Sequence, residues 1–195
     1  MKRARDPSSW DASISRSKFP SLWGVLREAS AIQGYFVDPG GHSQGNSAQV
    51  TQQVTQMRHM LLAMAPAPRV VCESGFNAGH SAVVWLEATS AHLHTFDLGA
   101  EPYSESSQAF IHRLYPGRVT YHKGDSRLTM KAHAKAVREG LASECDLAFI
   151  DGNHLRLGPL LDLQYTFLFS RDGALVIADD CTNRFQHVRH AWHFM

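Results

Sequence analysis

Five short apolar runs, each closing on an acidic residue or on a glycine next to one, punctuate the 195-residue sequence. They are Arg69-Val70-Val71-Cys72-Glu73, His92 to Asp97, Arg118 to His122 leading into Gly124-Asp125, Asp146 to Ile150 leading into Asp151-Gly152, and Ala174 to Ala178 leading into Asp179-Asp180. Between them lie segments with three- and four-residue apolar spacing: Ser81 to Thr89, Ser104 to Tyr115, Leu128 to Leu141 and Leu155 to Phe169. Strands this short and this free of polar interruption suit a parallel sheet buried on both faces. Regular alternation with helices predicts a doubly wound, Rossmann-like α/β fold with right-handed crossovers and strand order 3-2-1-4-5. In such sheets ligands sit beyond the carboxyl ends of the strands. Glu73, Asp97, Asp125, Asp151, Asp179 and Asp180 all fall there.

Upstream, Leu22, Trp23, Leu26, Ala29 and Ile32 predict an amphipathic helix between Phe19 and Tyr35. Asp38 to Asn46 reads as a loop. Ser47 to Met64 reads as a second helix with Val50, Val54, Met57, Leu61 and Leu62 on one face, stopped by Pro66 and Pro68. The division expected is a lead with cap helices over 1–64 and a ligand-binding domain over 65–195. Met1 to Lys18, rich in Ser, Arg and Asp, reads as a loosely docked lead.

Composition narrows the partners. Nineteen Lys+Arg against 18 Asp+Glu leave a net charge of +1, too little for a sequence-independent nucleic-acid binder. No stretch approaches the ~18 apolar residues that span a bilayer, and no apolar segment follows the basic N-terminus to make a secretory signal. Cys72, Cys145 and Cys181 are odd in number and far apart, so neither a disulfide framework nor a structural zinc site is expected, and a cytoplasmic setting fits.

The first strand-to-helix turn, Glu73-Ser74-Gly75-Phe76-Asn77-Ala78-Gly79-His80-Ser81, carries the ligand signal. Gly75 permits a tight turn and Gly79 a close approach, while Ser81 can cap the helix. Asp97 ends the next strand, where a carboxylate can accept hydrogen bonds from both ribose hydroxyls of an adenine nucleoside. The spacing Gly75-x-x-x-Gly79 differs from the dinucleotide pattern G-x-G-x-x-G. Glu73 opposes a pyrophosphate and suits the cationic amino-acid end of S-adenosylmethionine, favouring a sulfonium cofactor over NAD.

Glu73-x-Gly75-x-x-x-Gly79-x-Ser81 resembles motif I of class I S-adenosylmethionine-dependent methyltransferases, in the variant of the catechol O-methyltransferase type and the related Methyltransf_24 group. The resemblance runs from about Val70 to Cys181 and takes in Phe96-Asp97, Gly124-Asp125-Ser126, Asp151-Gly152-Asn153-His154 and Asp179-Asp180. It implies that Glu73 and Gly75 line the methionine end of the cofactor, that Asn77, Gly79 and Ser81 also belong to the cofactor site, that Asp97 holds the ribose, and that Asp125, with Ser126 nearby, faces the adenine. It also implies methyl transfer to a hydroxyl of a small molecule.

Asp151, Asp179 and Asp180 end neighbouring strands, about 4.8 Å apart in a sheet. Carboxylates this close repel, and a divalent cation relieves the repulsion; hard oxygen ligands suit Mg²⁺. The matching positions of the catechol-type enzymes hold Mg²⁺. The last of them is Asn in that pattern and Asp180 here. His154, where that pattern has a Lys base, can take a proton from a hydroxyl near neutral pH, or simply pack at the next helix. Asp151 and His154 are the expected catalytic pair. His187, His190 and His193 share a helix face and read as solvated; His92 and His94 share a strand face and read as packed against helices. Trp10, Trp23, Trp85 and Trp192 read as core or lid residues.

Fifteen residues follow Asp180, enough for one helix and no hairpin, whereas class I sheets continue with two further strands. The fifth strand is therefore expected at a bare edge, open to pairing with a second copy. A binding protein that keeps the nucleoside pocket without catalysis is the alternative reading.

Overall fold

The computed structural model describes residues 21–36 and 51–195. The lead over Met1 to Lys18, Trp10, the loop from Asp38 to Asn46 and the first residues of the second helix, Ser47 to Val50, lie outside the described residues.

The chain runs α1 (Leu22–Phe36), α2 (Thr51–Ala63), β1 (Val70–Ser74), α3 (His80–Ala88), β2 (His92–Asp97), α4 (Ser104–Leu114), β3 (Val119–Lys123), α5 (Ser126–Arg138), β4 (Cys145–Ile150), α6 (Gly158–Phe169), β5 (Ser170–Ala178) and α7 (Gln186–Phe194). The sheet has the order β3-β2-β1-β4-β5, with every pairing parallel. This is the doubly wound arrangement expected, and each expected strand and helix within the described residues is present to within a few residues.

Alternation along the strands divides the core between two faces. Val71, Leu93, Leu147 and Phe149 pack with α1 to α4 through Val25, Leu26, Ile32, Val54, Leu61, Val83 and Trp85. On the other face Cys72, Phe96 and Cys145 pack with Met130 and Ala134 of α5 and Phe169 of α6. Val54, Met57 and Leu61 of α2 are buried as their spacing predicts, but Leu62 is not. Of the three described tryptophans only Trp85 is core, while Trp23 and Trp192 are exposed.

Two local expectations are corrected. The fifth strand, expected to start at Ala174, starts at Ser170 and takes Asp172-Gly173 inside it, where Cys145 pairs with Ser170 and Leu147 with Leu175. Between these pairs one residue of β4, Asp146, faces four of β5, and the surplus bulges out with Gly173 at φ 76°. The second concerns cysteine. Cys72 and Cys145 form a disulfide with their Cα atoms 5.9 Å apart, and Cys181 is free and exposed. Seventy-three residues separate the pair in sequence, but β1 and β4 are adjacent strands, and adjacency in a parallel sheet is what spacing along the chain does not display.

Among the described residues no helix is long and apolar enough to cross a membrane.

Candidate active site

A cleft of about 820 Å³ opens at the carboxyl ends of the strands. Its lining includes Gly75, Asn77, Ser81, Asp97, Asp125, Ser126, Asp151, His154, Asp179 and Asp180, so most of the residues singled out in the sequence share one cavity.

The turn after β1 forms its floor. Gly75 has φ 91°, and a Cβ there would stand 2.0 Å from the backbone oxygen of Asp151. Only glycine lets β1 and β4 close to this distance while leaving the turn in a left-handed conformation. Gly152 is as constrained, since a Cβ there would lie 2.3 Å from Ser74 Oγ. Gly79, φ 81°, precedes α3 and lies over the Phe76 ring; it does not line the cleft.

Asp97 is tied to this turn. Its Oδ2 accepts from the backbone N–H of Phe76 (2.9 Å) and Asn77 (3.0 Å). Its Oδ1 accepts from Gly99 N–H (2.6 Å) and Tyr121 Oη (3.2 Å). Four donors fill the accepting capacity of a carboxylate. Asp97 thus fastens the glycine turn to β2 and β3 as well as facing the cleft.

Glu73 and Ser81 differ from expectation. Glu73 is fully buried beneath the floor and does not line the cleft. Burial pushes its carboxyl up to about 8, with the nearby Asp151 and Asp97 charges adding to a rise that the Ser81 hydrogen bond opposes. The group is therefore mainly protonated at neutral pH, and its Oε2 has no hydrogen-bond partner. Ser81 Oγ donates to Glu73 and does not cap α3, whose N-cap is Gly79 without a side-chain bond.

Asp125 is the N-cap of α5, accepting from Arg127 N–H at 3.0 Å. The Arg127 guanidinium, bonded to the same carboxylate, holds it below its ordinary range. Ser126 Oγ donates to Asp162 Oδ1, and Ser74 Oγ donates to Asp162 Oδ2, each at 2.7 Å. Asp162 is completely buried, clamping the end of β1 to the start of α5. Sequence reasoning missed it; the signal was an acid within the apolar run of Pro159 to Leu163.

Opposite this wall, His154 Nε2 lies 3.3 Å from Asp151 Oδ1 and 3.6 Å from Asp180 Oδ2. The Phe185 ring packs 4.9 Å from the imidazole. Burial pushes Asp151 up to about 6, and the hydrogen bond to Asp151 raises the imidazole of His154. Ligand atoms of Asp151, His154 and Asp180 lie within 4.8 Å of one another. Asp179 does not join them. Its Oδ2 accepts from Gln53 Nε2 on α2 at 2.7 Å, and its Oδ1 accepts from Asp180 N–H at 2.8 Å. Neither Asp179 nor Asp180 caps α7, whose N-cap is Phe185. The Mg²⁺ set expected on Asp151, Asp179 and Asp180 therefore fits in part only: Asp179 is bonded to Gln53, and His154 takes the third place beside Asp151 and Asp180. An adenosyl cofactor fits better, because Gly75 and Gly152 let the strand ends close tightly under the cleft and polar donors and acceptors line both of its walls.

Solved structures share this fold at low sequence identity. An S-adenosylhomocysteine-bound methyltransferase of Podospora anserina superposes with TM-score 0.59 at 21% identity over 80% of this chain and 62% of its own. An O-methyltransferase from Bacillus cereus in complex with S-adenosylhomocysteine gives TM-score 0.64 at 16% identity, covering 89% of this chain and 77% of that one. The O-methyltransferase TomG of Streptomyces achromogenes, involved in tomaymycin synthesis and solved with S-adenosylmethionine, gives 0.61 at 18%, covering 87% and 76%. The chain thus spans less than two thirds of the Podospora enzyme and about three quarters of the other two. No curated protein matches it in sequence. The model of the methyltransferase-domain family Methyltransf_24 matches residues 72–181, more than half of the chain and the whole of the sheet from Cys72 onward, and the protein belongs to that family.

Proposed function

We propose that the protein transfers a methyl group from S-adenosylmethionine to a hydroxyl oxygen of a small molecule. The observation that carries this reading is the placement of the Asp151–His154 pair, 3.3 Å apart, directly beside the Gly75 turn. A base at that point stands next to where the methionine end of the cofactor would lie. The named neighbours from Bacillus cereus and Streptomyces achromogenes, both O-methyltransferases, support an oxygen acceptor.

The cofactor supplies an activated methyl group on a sulfonium. The chain's own work is to hold and orient. Gly75 and Asn77 shape the floor, Asp97 faces the ribose, and Asp125 with Ser126 forms the wall by the adenine. His154, once neutral, takes the proton of the acceptor hydroxyl as the oxygen–carbon bond forms and the sulfur–carbon bond breaks. Asp151 orients the ring and stabilises the imidazolium that results. Alignment of oxygen, carbon and sulfur accounts for most of the acceleration in such a displacement. No step requires Mg²⁺ in this scheme, because His154 itself takes the proton of the acceptor hydroxyl, so turnover withstands chelation by EDTA.

The reading includes a small-molecule partner, in keeping with the net charge of +1, while the cytoplasmic setting expected from unpaired cysteines loses that support because Cys72 and Cys145 are bonded. It also includes pairing of two copies through β5, whose outer side has no neighbouring strand among the described residues. A stable monomer on size-exclusion chromatography at micromolar concentration would refute that pairing.

The test of the activity is transfer of labelled methyl from S-adenosylmethionine to a panel of phenols and alcohols. His154→Gln is expected to lose turnover while keeping its affinity for S-adenosylhomocysteine. Full turnover in that variant would remove the base assignment.

A further inference from the structure

On the face of the sheet away from α3, four histidines and two cysteines form one layer in which Cys72, Cys145 and His133 are buried and His92, His94 and His122 half-buried. His92 and His94 of β2, His122 of β3 and His133 of α5 stack with Phe96 and Phe169 at ring separations of 4.5 to 5.8 Å. His94 Nδ1 and His122 Nε2 are 3.1 Å apart, and the ligand atoms of His94, His122 and His133 all lie within 4.8 Å of one another. The same holds for Cys72, Cys145 and His133, so His133 belongs to both groups. His133 is 4% exposed, and its Nε2 has no hydrogen-bond partner. A buried nitrogen without a partner costs free energy that packing alone does not return.

We propose that Cys72, Cys145, His133 and His94 form a zinc site that opens when the Cys72–Cys145 disulfide is reduced. The donor set is the Cys₂His₂ type that Zn²⁺ takes in tetrahedral geometry. Bonds of ~2.3 Å at a tetrahedral angle place two thiolates about 3.8 Å apart, a modest separation of sulfurs that are now bonded. His94 stands outside the Cys72–Cys145–His133 group, but it is the register partner of Cys72 on the adjacent strand and converges with His133, so it is the ring placed to swing in as the fourth ligand. Charge selects this set over three imidazoles. The electrostatic influences on His94 come from other histidines, with no carboxylate among them, so a divalent ion on imidazoles alone would be buried without compensation. Two thiolates neutralise it. Burial lowers His94 to about 3 and His133 to about 4, which keeps both rings in the neutral, ligating form.

The balance is simple. A thiol reductant transfers two electrons to the disulfide and is itself oxidised to a disulfide, leaving two thiols in the protein. Zn²⁺ then displaces one proton from each thiol and forms two Zn–S bonds.

The experiment is Co²⁺ titration of the full chain, oxidised and after reduction with dithiothreitol and its removal under anaerobic conditions. The reduced chain is expected to bind one equivalent, with visible bands of tetrahedral Co²⁺ and a thiolate-to-metal charge-transfer band, both displaced by Zn²⁺. The oxidised chain is expected to show no charge-transfer band. Cys145→Ala and His133→Gln should each weaken binding roughly 100-fold or more, whereas Cys181→Ser should leave it unchanged. Absence of the charge-transfer band in the reduced chain, or its loss in Cys181→Ser alone, overturns the proposal. X-ray absorption of the zinc-loaded reduced wild type needs no variant to fold: a shell of two sulfurs and two imidazole nitrogens supports the site, and a shell without sulfur overturns it.

Discussion

Gln53 Nε2, on α2, donates to Asp179 Oδ2, at the end of β5, across 2.7 Å. The two residues are 126 positions apart in sequence, and their contact seats the second helix on the acidic end of the cleft. It also turns Asp179 away from Asp151, His154 and Asp180. Hydrogen bonds to charged groups contribute about 1.5–3 kcal/mol, and the half-exposed setting puts this one at the lower end. Gln53→Ala should lower stability by about 1.5 kcal/mol in denaturant titration. It should raise KM for the acceptor while leaving affinity for S-adenosylhomocysteine unchanged. A variant with wild-type KM would show that α2 has no part in the acceptor site.

Asp97 holds the glycine turn and, in the proposed scheme, faces the ribose. Asp97→Ala removes the four bonds that hold the Gly75 turn and, with them, the ribose contact proposed to displace the Tyr121 donor; charge-assisted bonds are worth about 1.5–3 kcal/mol each, and two of them exceed a hundredfold in affinity. Calorimetry should find no S-adenosylhomocysteine binding to the variant. Tyr121→Phe, which removes a single donor to the same carboxylate at 3.2 Å, should keep most of the affinity. Wild-type affinity in Asp97→Ala would reject the ribose assignment.

Asp162 is the buried clamp between Ser74 and Ser126. Its replacement by Ala leaves two hydroxyls unpaired, at roughly 1–3 kcal/mol each. Thermal melting should move down by several degrees. An unchanged melting temperature would mean that water replaces the carboxylate without cost.

Glu73 makes stability depend on pH in a direction unusual for an acid. Its folded pKa, about 8, lies above the ordinary value of 4.5. Below pH 4.5 both folded and unfolded chains carry the proton, and the burial costs nothing in linkage. Above it the unfolded chain releases the proton while the folded chain retains it, so the contribution to stability declines as pH rises toward 8. Glu73→Gln lacks this decline. The melting temperature of the variant relative to wild type should therefore increase steadily from pH 5 to pH 8. A constant difference would show that Glu73 is ionised in the folded protein.

The sheet was legible because each strand is a compact apolar run closed by an acid or glycine, a signal that depends only on neighbours in sequence. The cleft was legible for the same reason: the strand ends carry it, and topology gathers strand ends in one place. What escaped depends on contacts across the fold. Cys72 and Cys145 meet because β1 and β4 are adjacent. Gln53 reaches Asp179 because α2 packs over the sheet's end. Asp162 is silent in sequence, since one acid in an apolar helix looks like an exposed position until the helix is docked. Ser81 illustrates a competition lost locally: its hydroxyl is drawn to the buried Glu73, and Gly79 takes the cap position.

Calorimetric titration of the purified chain with S-adenosylhomocysteine, with NAD as the control, tests the cofactor assignment most directly. Binding at micromolar concentration, unaffected by EDTA and absent with NAD, is the result expected. A folded chain that binds neither, or that binds NAD as tightly, would contradict it.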